Sequence, residues 1–167
     1  MTNTLRFPPA DPATAAAFFA AELAFEADPD DVVRDLESGA GFQLVECRSA
    51  QAFASARIPT AINLDYRHVD EVTTKDLDRS LVYVCYCESF QCNAATKGAL
   101  KLAELGFRVK RLSGGIAAWR AAGYPVEAEA VGGKAGDGST EDEQVRVSAV
   151  GGSKMTASGH FGVHCAC

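Results

Sequence analysis

Residues 81–100 read LVYVCYCESFQCNAATKGAL and hold three of the chain's six cysteines, Cys85, Cys87 and Cys92. Residues 80–86 form a near-continuous apolar, β-prone run, the pattern of a strand buried on both faces. Residues 93–105 have helical character, with Gly106 at the C-terminal stop. Cys87 therefore closes a strand, and Glu88 to Cys92 form a short loop into a helix that starts at Asn93 or Ala94. In an open parallel sheet, ligands collect beyond the carboxyl ends of the strands. Loop N–H groups and the positive helix end there favour a thiolate over a thiol. The stretch predicts an activated sulfur nucleophile with an anion held above it.

The pattern repeats outward. Asp11 before Pro12, and Asp28 before Pro29, each write a helix start, and Gly39 can end the second helix. The first of these helices reads as amphipathic. Residues 42–47 (FQLVEC) read as a strand, Ser49 as the cap of a brief helix, and residues 61–64 (AINL) as a short extended piece. Residues 107–112 (FRVKRL) form another strand, and SGG a tight turn into a last helix ended by Gly123 and Pro125. Strands alternating with helices through short connections predict an α/β fold, with a central, mainly parallel sheet flanked by helices. Three segments are expected: a helical extension over 1–27, the domain over 28–127, and a Gly-rich tail over 128–167. The tail carries eight of the fifteen glycines and is expected to be flexible.

The formal charge is −6 over 167 residues, without a basic cluster. Nucleic acid and anionic membrane surfaces are poor partners for such a chain. No apolar run reaches the roughly 18 residues that a membrane span needs. The apolar N-terminal stretch is interrupted by Glu22 and preceded by Asp11, which argues against a secretory signal. A cytoplasmic setting is expected, where thiols stay reduced and cysteine clusters serve catalysis or metal more often than disulfide frameworks.

Three segments together resemble the single-domain rhodaneses, sulfurtransferases of the rhodanese superfamily. Residues 46–63, ECRSAQAFASARIPTAIN, resemble the family's first segment and keep Arg48, Ser49, Phe53, Ile58, Pro59 and Ala61. VCYCESFQCN resembles its active-site strand and loop, and LSGGIAAWRAAGYPV its last motif. Glu46 replaces a usual Asp, and Ala56-Arg57 a usual Gly-His. The resemblance implies a catalytic Cys87 that carries sulfane sulfur as a persulfide. It also implies a substrate-cradling loop of Glu88, Ser89, Phe90, Gln91, Cys92 and Asn93. The implied partners are a small sulfur donor or protein persulfide and a thiol or cyanide acceptor. No cofactor and no metal site are assigned. Thiosulfate-using relatives often carry basic loop residues; this loop has none, and Glu88 is acidic. Arg48 and Arg57 are possible accessory residues, and Arg57, Arg67 or Arg111 could bring charge from neighbouring loops.

Several alternatives stay open. Cys92 rivals Cys87 as nucleophile, because it stands at the helix start, or forms a reversible disulfide with it, or merely lines the pocket. Cys85, within the strand, and Cys47, ending another, read as buried apolar packing. Cys85, Cys87 and Cys92 lack the spacing of a zinc clip. His160, His164, Cys165 and Cys167 close the chain; they could bind soft metal ions, relay sulfur, or do nothing. A thiol-redox or metal-binding module is thus the alternative to sulfur transfer. A phosphatase or arsenate reductase is disfavoured, because Asn93 stands where a C-x5-R loop needs its arginine. Trp119 reads as core, and His68 as a loop residue.

Overall fold

A computed structural model describes residues 3–129. Helix α1 spans Pro12–Phe25, and the Asp11 carboxylate accepts the N–H groups of Ala13 (3.0 Å) and Thr14 (3.1 Å). Helix α2 spans Pro29–Ser38; Asp28 accepts the Asp31 N–H at 2.9 Å, and Gly39 ends it at φ +74°. Both starts thus satisfy orphan helix donors as the sequence predicts.

Five strands form one sheet: β1 (Glu26–Ala27), β2 (Phe42–Glu46), β3 (Ile62–Asn63), β4 (Val82–Tyr86) and β5 (Arg108–Leu112). Their order is β1-β5-β4-β2-β3, and every pairing is parallel. Helices α3 (Ala50–Ser55), α4 (Ala94–Glu104) and α5 (Gly115–Ala121) complete the domain. The central β4 pairs with β2 and β5, so its two faces alternate between two cores. Tyr83 and Cys85 join Val45, Cys47, Leu102 and Phe107 on the α4 side. Val84 and Tyr86 join Leu44, Val32, Ile116 and Trp119 on the α2 and α5 side. Burial on both faces explains the unbroken apolar run. Each large side chain so buried contributes about 1.5–3 kcal/mol over its exposed state.

Packing sets helix positions closely. A Cβ built on Gly98 of α4 would meet Cys47 Sγ at 2.6 Å, so only glycine lets this helix approach the sheet as it does. Trp119 is 1% exposed, and its Nε1 donates to the Pro125 carbonyl at 2.8 Å. Thr60 stands at φ +67°, the left-handed region that strains a β-branched residue.

One sequence expectation is amended, and one strand is added. Helix α1 is not amphipathic: it buries none of its residues, and Phe18, Phe19, Leu23 and Phe25 are all exposed. Its apolar residues recur around the whole circumference, because runs of alanine and phenylalanine leave no polar face. Strand β1 carries no sequence signal of its own. Its two residues follow α1 directly and pair with Arg111 and Leu112 at the sheet edge.

The chain stays bonded to the domain as far as Glu129, whose N–H donates to the Ala54 carbonyl at 2.8 Å. The tail expected over 128–167 lies outside the described residues from residue 130 onward, and with it His160, His164, Cys165 and Cys167.

Candidate active site

The chain leaves β2 for β3 on one side of the sheet and returns to β4 on the other. The carboxyl ends of β2 and β4 thus sit side by side where the winding reverses, the place where α/β sheets gather ligands. Cys87 follows β4 directly and is 3% exposed. Asn93 takes the N-cap position of α4 but makes no side-chain capping bond. The Ala95 N–H lies close enough to the Cys87 thiol, and the Ala94 and Glu88 N–H groups to the Cys92 thiol, to favour the thiolate at each. The start of α4 therefore stands beside two sulfurs.

The two thiols differ in ionisation. Burial is the main influence on Cys87, and its pKa is pushed up to about 11. Its Sγ lies 3.0 Å from the Cys92 carbonyl oxygen, to which the S–H donates. At Cys92 burial also opposes ionisation, but the Ala94 N–H, the Cys87 thiol, the Glu88 N–H and the Arg48 charge outweigh it and lower its pKa. The sequence expectation of a depressed pKa at Cys87 is thus met at its neighbour. Loop amides aim at Cys87 too, but it is the more deeply buried of the two.

The loop is held from three directions. Cys92 N–H donates to Ser89 O at 3.0 Å, and the Ser89 hydroxyl donates to Gln91 Oε1 at 2.8 Å. From α5, Ile116 N–H donates to Cys87 O and Ala117 N–H to Glu88 O, both at 2.9 Å. A Cβ at Gly115 would stand 2.3 Å from Cys87 O, and the residue has φ +60°. The SGG turn is therefore the device that lets α5 dock on the active-site backbone, a role that sequence reasoning missed. From β2, Arg48 reaches across to Glu88.

Arg48 is the hub of a buried polar chain. Its Nε and Nη2 donate to Glu46 Oε1 and Oε2, each at 2.8 Å, and Nη2 donates to Ala56 O at 2.9 Å. Glu46 is fully buried. The Arg48 backbone N–H adds a bond to Glu46 Oε1 at 3.3 Å, and the nearby Tyr86 hydroxyl accepts the Ile58 N–H at 3.0 Å. The longer Glu at position 46 fits because its carboxylate is chelated by one guanidinium.

The remaining expected residues are scattered. Phe90 is 81% exposed at the loop tip, with its ring edge against Gly114. Arg57 is committed elsewhere: it stacks over Phe53 at 4.9 Å and pairs with Glu127 (3.4 Å) and Glu129 (3.8 Å). Arg67 pairs with Asp65, and Arg111 with Glu26 and Thr96. Glu88 has Arg120 3.8 Å away in addition to Arg48. The cationic charge that the loop lacks in sequence thus arrives from Arg48 and Arg120. Cys47 and Cys85 are buried in the α4-side core, as expected of apolar packing. Among the described residues no three His, Cys, Asp or Glu side chains gather as metal ligands. A cleft of about 820 Å³ between α1, α2 and the amino ends of the strands, lined by Leu23, Val32, Phe42 and Val82, includes none of these thiols.

The chain is similar to several known proteins. The rhodanese-like domain family matches residues 28–122. The thiosulfate sulfurtransferase GlpE of Pseudomonas savastanoi pv. phaseolicola is 39% identical over 89 residues, 52% of this chain and 79% of that protein. GlpE of Pseudomonas putida F1 is 34% identical over 105 residues, 62% of this chain and 91% of that protein. The crystal structure of the BH2092 protein from Bacillus halodurans superposes with a TM-score of 0.69 at 40% identity, covering 71% of this chain and 87% of that one.

Proposed function

The chain belongs to the rhodanese-like domain family, and from that premise we propose that it is a sulfurtransferase carrying sulfane sulfur as a persulfide on Cys87. The single observation that carries the reading is the station of Cys87: at the carboxyl end of the central strand, under a five-residue loop and the open start of a helix. Cys87 gives up its proton and its thiolate attacks the outer sulfur of a donor. The donor's S–S bond breaks, and the donor's thiol or sulfite departs. Loop and helix N–H groups stabilise the resulting persulfide anion. A thiol or cyanide then attacks the outer sulfur and regenerates Cys87.

The two GlpE relatives are named for thiosulfate. Here Glu88 faces the loop mouth in ion pairs with Arg48 and Arg120. That pairing leaves little free positive charge for a dianion, so a low-molecular-weight or protein persulfide is the better donor. The exposed Phe90 beside the thiols suits a protein partner, as an apolar anchor at the rim of the site. The chemistry requires no cofactor. A cytoplasmic setting keeps both loop thiols reduced. No helix among the described residues is long and apolar enough to cross a membrane. Phosphoryl chemistry is disfavoured, since Asn93 brings no charge to the loop. The domain boundaries proposed are 28–127, preceded by a helical extension and followed by the tail.

The test is mass spectrometry after incubation with a persulfide donor. An adduct of about 32 Da on Cys87, absent from Cys87→Ser, is the expected result. An adduct on Cys92 in both proteins would transfer the role to Cys92.

A further inference from the structure

The loop holds two thiols, and only one of them is needed to carry sulfur. Cys87 and Cys92 are both free, and Cys87 Sγ lies 3.0 Å from the backbone oxygen of Cys92. Each thiol alters the other's ionisation, so the two sulfurs lie within interacting reach. They are served by neighbouring N–H groups of one helix start. Cys92 is also the more accessible of the pair. A five-residue separation within one loop makes closure of a bond between them a local event, with little of the chain to reorder.

Resting on the sulfurtransferase reading, we propose that Cys92 is a resolving thiol, which attacks the loaded Cys87 and makes the protein a persulfide reductase that releases sulfide. The Cys92 thiolate attacks Cys87 Sγ. A bond forms between the two cysteine sulfurs. The bond from Cys87 Sγ to the outer sulfur breaks, and its electron pair leaves with the outer sulfur, which takes the proton that the Cys92 thiol gives up on attack and departs as HS⁻. The outer sulfur is reduced from the sulfane to the sulfide level, and the two cysteines are oxidised together to a disulfide. The sulfane sulfur is itself the oxidant. A dithiol then reduces the disulfide by exchange and restores both thiols.

The ionisation of the pair favours this direction. Cys92 is the one whose pKa is lowered and the more accessible of the two, so it is the readier nucleophile of the pair. Cys87 is the one whose sulfur is buried and already carries the incoming atom. The Ala94 and Glu88 N–H groups favour the Cys92 thiolate.

The full-length chain is loaded anaerobically with one equivalent of glutathione persulfide and freed of small molecules at once. Sulfide and protein mass are then followed together. The expected result is one sulfide per chain, loss of the adduct, and a product about 2 Da lighter than the reduced protein. Peptide mapping should place the new link between Cys87 and Cys92, and a dithiol should restore the mass and permit a second round. Cys92→Ser and Cys92→Ala should hold their adduct at least tenfold longer. An adduct that persists as long in the wild-type protein, or a link mapped to any other cysteine, overturns the proposal while sulfur transfer stands. If no adduct and no sulfide appear at all, the sulfurtransferase reading fails and this inference falls with it.

Discussion

Removing the guanidinium at position 48 should be costly out of proportion to its size. In Arg48→Ala, the buried Glu46 carboxylate loses two donors at 2.8 Å, Ala56 O loses one at 2.9 Å, and Glu88 loses its bond to the hub. Only the backbone N–H of residue 48, 3.3 Å from Glu46 Oε1, then donates to a carboxylate with no exposure to water. Breaking a buried ion pair from one side costs about 3–5 kcal/mol, since the remaining charge stays desolvated. Against a total stability of roughly 5–15 kcal/mol, that is a large share. Urea unfolding followed by tryptophan fluorescence reports it directly, because Trp119 is the only tryptophan and is 1% exposed. The double variant Arg48→Met with Glu46→Gln removes both charges and should recover more than half of the loss. A single-variant cost below about 1 kcal/mol would refute the argument, as would a double variant no better than the single one.

Gly115→Ala should destabilise the domain and slow sulfur loading together, because the new methyl would stand 2.3 Å from Cys87 O; urea midpoint and adduct formation should fall in step. Thr60→Gly should raise stability by about 0.5–1 kcal/mol. Relief of left-handed strain, about 1–2 kcal/mol, exceeds the added chain entropy of about 0.5–1 kcal/mol; an unchanged or lower midpoint would count against it. Glu88→Gln should lower the KM for thiosulfate by about three- to tenfold, roughly 1 kcal/mol, by freeing Arg48 and Arg120 for the anion; steady-state kinetics across donors checks whether the gain is confined to the charged one. The thiol pair should separate with pH. Alkylation near neutrality should mark Cys92 first, and marking of Cys87 should accelerate as pH climbs towards about 11. The neutral Cys87 thiol is the form the fold favours. Its contribution to stability is therefore complete below the ordinary thiol range and is lost as pH rises through about 11.

Local chemistry was legible where one short stretch decides it. Asp11-Pro12 and Asp28-Pro29 specify helix starts, because cap and first turn lie within four residues. The apolar run before Cys87 specifies a buried central strand, and with it the place of the thiol. What the sequence withheld depends on partners far apart in the chain. Arg48 and Glu88 are forty residues distant, and nothing local marks Glu46 as buried. Strand β1 is two residues long and takes its identity from β5, eighty-five positions away. The pKa order of Cys87 and Cys92 follows from which sulfur sinks deeper, a matter of packing rather than spacing. The positive φ of Thr60 sits at a residue that rarely adopts it, so propensity pointed elsewhere.

Helix α4 begins beside two sulfur atoms and has no side-chain cap of its own, and this links the integrity of the fold to the state of the reaction. A hydroxyl or carboxamide cap is chemically constant. A thiol, a thiolate, a persulfide and a disulfide accept hydrogen bonds with very different strength. Each turn of chemistry at Cys87 and Cys92 therefore loosens or tightens the first winding of the helix, which Gly98 in turn seats against Cys47. Amide hydrogen exchange at Ala94 and Ala95 would then rise and fall with sulfur loading. The backbone itself would serve as the gauge of whether the protein is charged or spent.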